Sequence, residues 1–357
     1  MNIDRREFVK MAGAAGALAA AGCRMTGAVS KNEHDFLWAY LVHLGTNTMC
    51  DRVPDSWGSF RKEQLPGFAP SKRLRCDGAV WRETVDAHAK AGANTIVIGL
   101  AEGLVYPSHP ELAIEGSWSV DKLRAEIARM RAMGLEVVPK LNFSATHDIW
   151  LRDYSRMLST GTYYRVCEDL IRDVWEIFDH PRLIHLGYDE ENWINQCKYE
   201  FVTIRQGDLW WHDFLWFVST VEKLGMRAWV WTDRNREHAE EFYRRMPKAV
   251  LQSHWYYGNR FDGADGAAAA DADRDRRSLG HFVELGKAGF DQVPCGSNWY
   301  LDGNFPALAD YCRTHVPRGS LRGMLMAPWF KTVPENRAKL LSSAAEMAKA
   351  VRRYVNA

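Results

Sequence analysis

The sequence predicts an α/β chain folded as a single (β/α)8 TIM barrel. Three observations carry that expectation. From residue 36 onward, apolar β-branched runs alternate with longer helix-period stretches, and the alternation closes at eight of each. No glycine-rich phosphate loop follows the first strand, as a doubly wound open sheet would favour. A structureless stretch at 46–78 sits where a barrel keeps a functional loop, after the first strand.

The elements follow in order. "FLWAYLVHLG" (36–45) reads as the first strand, and "AVWRETVDAHAKAGA" (79–93) as a helix stopped by Gly92. "NTIVIGL" (94–100) is the second strand, and "SVDKLRAEIARMRAMG" (119–134) a helix with a Ser cap and a terminal Gly. "LEVVPKLNF" (135–143), helix 162–179 and strand "RLIHLGYDE" (182–190) complete the first half. The second half predicts helix 208–225, strand 226–233, helix 236–247 and strand 249–257. An Ala/Asp-rich insertion at 258–277 reads as a surface loop. Helix 278–289, strand 290–300, helix 305–316, strand 321–330 and helix 335–355 close the chain.

The N-terminus reads differently. Paired Arg5 and Arg6, then Phe8 and Lys10, precede an Ala/Gly-rich stretch over 11–22, which resembles a twin-arginine export signal. The stretch is too short to span a bilayer. "AAGC" resembles a lipoprotein processing site with Cys23 as the lipidated residue. The expected organisation is therefore a signal over 1–30 and one catalytic domain over 31–357, periplasmic or lipid-anchored, touching a membrane only through Cys23. Forty-six Lys+Arg against 45 Asp+Glu argue against nucleic acid or an anionic membrane surface as partner. The cysteines show no C-x-x-C spacing, which disfavours a zinc knuckle, and no cofactor is expected. Oligomeric state is not legible.

In such a barrel the C-terminal ends of the strands face the active site. Those ends offer His43 and Asn47 on strand one, Asn142 and His147 on strand three, and His185, Asp189 and Glu190 on strand four. Strand five offers Trp229, Trp231 and Asp233, and strand six His254, Trp255 and Tyr256. Strand seven offers Asn298, Trp299, Tyr300 and Asp302, and strand eight Trp329. Carboxylates walled by aromatic rings suit a sugar, whose CH face stacks on an indole and whose hydroxyls take polar partners. With 15 Trp in the chain, aromatic walls are well supplied, although a large core could absorb many of them. Trp229 and Trp231 share one face of their strand, barrel interior or helix layer. His185 reads more readily as an oriented core histidine than as a ligand. Glu191 and Asn192 read as the start of a solvated loop.

"HLGYDE" (185–190) resembles the H-x-G-G-D-E motif of family 20 glycoside hydrolases, the β-N-acetylhexosaminidases, with Tyr188 in place of the second Gly. "SNWYLDG" (297–303) resembles that family's W-Y-L-D segment, and Trp231, Trp255 and Trp329 match its strand-end tryptophans more loosely. The resemblance implies a retaining mechanism in which the substrate's own 2-acetamido oxygen attacks the anomeric carbon. It implies Glu190 as general acid and then base, Asp189 as orienter of the acetamido nitrogen, Tyr300 as donor to the acetamido oxygen, and Asp302 as a hydroxyl ligand. Two departures stand out. The family's strand-one Arg, which grips sugar hydroxyls, is replaced by His43 and Asn47, and the Glu after the strand-eight Trp is Lys331. These changes point to a 2-acetamido sugar that is altered or decorated at C3, C4 or C6, with Lys331 tolerating an acidic substituent such as sulfate.

Other readings stay open on sequence. A conventional two-carboxylate glycosidase would pair Glu190 with Asp233 or Asp302. A metal-dependent hydrolase would use His147, His185, Asp189 and His254, though no H-x-H or H-E-x-x-H spacing is present. A non-catalytic glycan-binding barrel would account for the lost Arg and Glu.

Overall fold

Eight parallel strands run in the order β6-β5-β4-β3-β2-β1-β8-β7 in the computed structural model, which describes residues 36–58, 60–261 and 269–356. The strands are β1 Leu37–His43, β2 Thr95–Gly99, β3 Glu136–Lys140, β4 Leu183–His185, β5 Arg227–Trp231, β6 Leu251–Ser253, β7 Cys295–Gly296 and β8 Gly323–Met326. Isolated parallel bridges, Gln252 with Gln292 and Trp255 with Cys295, join the β6 and β7 segments and bring the sheet round into a barrel. The main helices alternate with the strands: α1 Gly78–Lys90, α2 Val120–Ala132, α3 Gly161–Ile177, α4 Gly207–Lys223, α5 Ala239–Arg245, α6 Ala269–Lys287, α7 Asn304–His315 and α8 Arg337–Val355. The (β/α)8 expectation holds, and Phe36–Ala357 is one compact unit. The arginine pair and Cys23 of the expected export signal lie outside the described residues.

Strand parity explains the two cores. Leu37, Ala39, Leu41, Val97, Val138 and Leu183 point into the barrel, whereas Trp38, Tyr40, Val42, Ile96, Ile98 and Ile184 join the larger layer against the helices. Trp229 and Trp231 both belong to the interior set. The same parity carries His43, Lys140 and His185 inward at the carboxyl ends of β1, β3 and β4.

The strands are shorter than the sequence reading has them, and two of those boundaries have an identifiable cause. β4 stops at His185 instead of running to 190, because Gly187, Tyr188 and Glu190 take φ of 74°, 70° and 55°, which no strand accommodates. β7 covers only two residues of the expected eleven-residue run, since Pro294 lacks the N–H that a ladder needs. α6 begins at Ala269, so the 258–277 insertion is in part helix and not a loop throughout. The long 46–78 segment carries a 3-10 turn, Lys62–Gly67, and folds over the barrel mouth.

Candidate active site

At the carboxyl ends of the strands lies a cavity of about 570 Å³, walled by Trp231, Trp255, Trp299 and Trp329 and roofed by Trp57, Phe60 and Phe68 of the 46–78 segment. Asp189 and Glu190 open into it. Nε2 of His147 lies 3.2 Å from Asp189 Oδ2 and 3.2 Å from Glu190 Oε2, and Nδ1 lies 3.1 Å from the Thr48 carbonyl oxygen. A carbonyl can only accept, so Nδ1 carries a proton and Nε2 is the nitrogen turned to the acids. Burial alone would lower the imidazole pKa, but Asp189 and then Glu190 outweigh it and raise it to about 10. Burial likewise pushes the Asp189 carboxyl up, yet His147, Lys140 and the Asn142 amide hold it well below the usual range. Asn142 Nδ2 donates to Asp189 Oδ1 at 2.8 Å. The outcome is an ionised Asp189 beside an imidazolium, with Glu190 35% exposed at the cavity's edge.

A strained turn sets this geometry. A Cβ on Gly187 would meet Asn142 Oδ1 at 2.0 Å, so only glycine lets Asn142 reach Asp189 from beneath the turn. Tyr188 bears a left-handed φ that glycine would hold at no steric cost. Its ring is buried on Trp210, Phe214 and Phe217, and its hydroxyl accepts from Arg205 at 3.0 Å. The Glu190 carbonyl oxygen accepts from Thr146 Oγ1 at 2.8 Å and from Asn195 Nδ2 at 3.2 Å. Those bonds over-determine a conformation costly on its own.

Glu191 is not the start of a solvated loop. Its carboxylate is buried and paired through both oxygens with Arg205, at 2.8 and 2.6 Å, and also accepts from the Ala145 backbone N–H at 3.0 Å. Arg205 further contacts Asp213 and the Phe143 carbonyl oxygen, so one buried ion-pair network anchors the turn from behind. Third in the run of carboxylates, Glu191 is structural.

The other expected residues divide. His43, Asn142, Tyr300, Trp231, Trp255 and Trp329 line the cavity, with Tyr300 65% exposed at its mouth. Asp233 borders a smaller adjoining cavity together with Glu190 and accepts from Trp255 Nε1 at 3.1 Å. Burial, then the charges of Asp189 and Glu190, raise its pKa to about 7 despite Arg236. Asn47, His185, His254 and Asp302 are among those outside both cavities. Asn47 pins the loop through Ser71 and Arg75. His185 is buried between Trp229 and Trp231, its Nδ1 accepting from the Gly187 N–H at 3.0 Å. His254 donates from Nε2 to the Ser278 carbonyl oxygen and packs on Phe282, because its parity turns it to the helix layer. Asp302 is exposed and paired with Lys339 at 3.1 Å.

The set that the alternative metal-dependent reading would use, His147, His185, Asp189 and His254, is therefore not assembled. Among the described residues only His147, Asp189 and Glu190 gather their ligand atoms within 4.8 Å. Among the cavity residues that the sequence reading does not offer are Lys140 and Tyr257. Lys140 is the interior-facing end of β3, and Tyr257 lies on the same side as Trp255, two residues on. Strand parity was the signal for both. The Tyr257 hydroxyl accepts from Trp329 Nε1 at 2.9 Å.

No protein-family model matches the chain, and no curated protein matches it. Solved structures do share the fold. A β-N-acetylhexosaminidase from Bacteroides fragilis is 14% identical over 87% of this chain, with a TM-score of 0.56. An exo β-N-acetylglucosaminidase of glycoside hydrolase family 20 from Vibrio harveyi, in complex with N-acetylglucosamine, is 12% identical over 90%, with a TM-score of 0.56. A third β-N-acetylhexosaminidase is 12% identical over 88%, with a TM-score of 0.59. The chain spans 65%, 58% and 71% of those three proteins in turn. At this identity the likeness establishes the barrel.

Proposed function

We propose that the chain is an exported, retaining glycoside hydrolase that cleaves 2-acetamido sugars by substrate assistance. The observation that carries the reading is the His147–Asp189–Glu190 cluster opening into an aromatic-walled cavity. It supplies two carboxylates in unlike environments, which acid catalysis beside a developing cation requires. The fold likeness to β-N-acetylhexosaminidases supports the same reading.

In the first step the acetamido oxygen attacks the anomeric carbon as the glycosidic C–O bond breaks, and the departing oxygen takes the proton of Glu190. Asp189, held ionised by His147, accepts the amide N–H and stabilises the positive charge that grows on the nitrogen. In the second step Glu190 takes a proton from water as the water oxygen bonds to the anomeric carbon and the bond from that carbon to the acetamido oxygen breaks, which regenerates the amide. Trp231, Trp255 and Trp329 enclose the acetyl group. Tyr300 at the mouth is the donor to the acetamido oxygen that the motif suggests, but Tyr257 is the better placed, being inside, with a hydroxyl that accepts from Trp329 and keeps its proton to give.

Hydrolysis of nitrophenyl 2-acetamido-glucoside and -galactoside, with inhibition by an N-acetylglucosamine thiazoline, tests the reading. Activity confined to sugars lacking the amide would overturn it in favour of a conventional glycosidase using Asp233.

A further inference from the structure

We infer that the sugar taken by this cavity carries an anionic substituent, and that Lys140 is the residue that binds it. The inference rests on the proposed function and narrows its substrate. Lys140 ends β3 facing the barrel axis, is only 6% exposed, and lines the cavity. Among the described residues its Nζ has no hydrogen-bond acceptor and no carboxylate partner. Its one close cation contact is the Trp231 ring, 6.0 Å away, at the limit of such an interaction. The nearest acid acting on it, Asp189, is bonded instead to Asn142 and His147. An ammonium group this little exposed, with no ion pair or hydrogen bond of its own, is costly and is ordinarily paired. Here the pairing is left to the ligand.

A second cation, Lys331, also lines the cavity. Lys331 Nζ donates to the Gly67 carbonyl oxygen at 2.5 Å, and Arg75 donates to that same oxygen at 2.9 Å. Neither has a carboxylate partner among the described residues. His43, which also lines the cavity, has its pKa lowered to about 3 by burial and then by Lys140, so it is neutral. A neutral diol needs acceptors as well as donors. Away from the His147 cluster, the cavity lining offers the ammonium groups of Lys140 and Lys331 and no carboxylate. That arrangement suits a group that only accepts, a sulfate ester or a carboxylate on the ring.

The test compares ligands on the full chain by calorimetry: N-acetylglucosamine, its 3-sulfate, its 6-sulfate and its O3-lactyl ether. At least one anionic sugar should bind about tenfold or more tightly than the neutral one, a margin that Lys140→Met abolishes and Lys140→Arg retains. The sulfates and the ether separate the two anion chemistries. Equal affinities for neutral and anionic sugars would overturn the inference and leave the proposed function standing, whereas failure of every sugar to bind would count against the proposed function. Inorganic sulfate is the probe independent of the sugar. At matched ionic strength it should raise the melting temperature of the wild type more than that of Lys140→Met, and equal shifts would overturn the inference even if no sugar binds. Lys140→Met without ligand should melt no lower than wild type, since it removes an unpaired buried charge. A lower melting temperature would assign Lys140 a structural role instead.

Discussion

Nε2 of His147 stands 3.2 Å from Oε2 of Glu190 while standing equally close to Oδ2 of Asp189, so one imidazole ties together two carboxylates that are neighbours in sequence. The backbone makes this possible by turning left-handed at Glu190, with φ of 55°, which breaks the strand alternation that would send adjacent side chains to opposite faces.

Glu190→Gln keeps the shape of the side chain and removes its acid function. The expected loss in kcat is about 10²–10⁴-fold with a small change in KM, read on a 2-acetamido-glucoside with a poor leaving group. Asp189→Asn should lower kcat as well, and should abolish the advantage that a thiazoline inhibitor has over N-acetylglucosamine. Retention of that advantage would detach Asp189 from the amide.

His147 makes the acid cluster pH-sensitive in a definite direction. Its imidazole titrates near 6.5 when unfolded and near 10 when folded. Its contribution to stability is thus complete below about pH 6.5 and is lost as pH rises through about 10. Urea unfolding of wild type and His147→Gln across that range should show a gap that narrows with rising pH. A gap that widens would contradict a charged His147.

The Glu191–Arg205 pair should matter far more than an exposed pair of similar length. Glu191→Ala leaves Arg205 buried without its main counter-charge, and the expected loss is about 3–5 kcal/mol. Arg73 and Glu115 meet at 2.6 Å but are 75% and 65% exposed, so Glu115→Ala should cost less than about 1 kcal/mol. Chemical denaturation of the two variants measures both. Similar losses would mean that Glu191 is not buried as described.

Two tyrosines compete for the acetamido oxygen. Tyr257→Phe should reduce kcat/KM more than Tyr300→Phe, because Tyr257 is inside and anchored by Trp329 whereas Tyr300 is 65% exposed. The reverse order would mean that the mouth closes over the sugar and brings Tyr300 in.

The barrel, the acid pair and the aromatic wall were legible along the chain, because period and strand ends are local properties. His147 was found as a polar group near a strand end. Its role was not, since that depends on Thr48 and on a left-handed turn that brings two sequence neighbours to one nitrogen. Asp302, which the motif offered as a ligand, faces solvent and Lys339, and His254 faces the helices. In both cases a residue's distance from a strand end says little about which way it points once the strand has stopped.

The sequence by itself determined which residue types are available and that eight strand ends would gather them, since hydrophobic periodicity dictates the barrel. Only the tertiary structure decided which charges found partners. Glu191 met Arg205, while Lys140 reached a cavity and formed no ion pair among the described residues. Pairing is a matter of a few ångströms between segments far apart in the chain, and no local pattern encodes it.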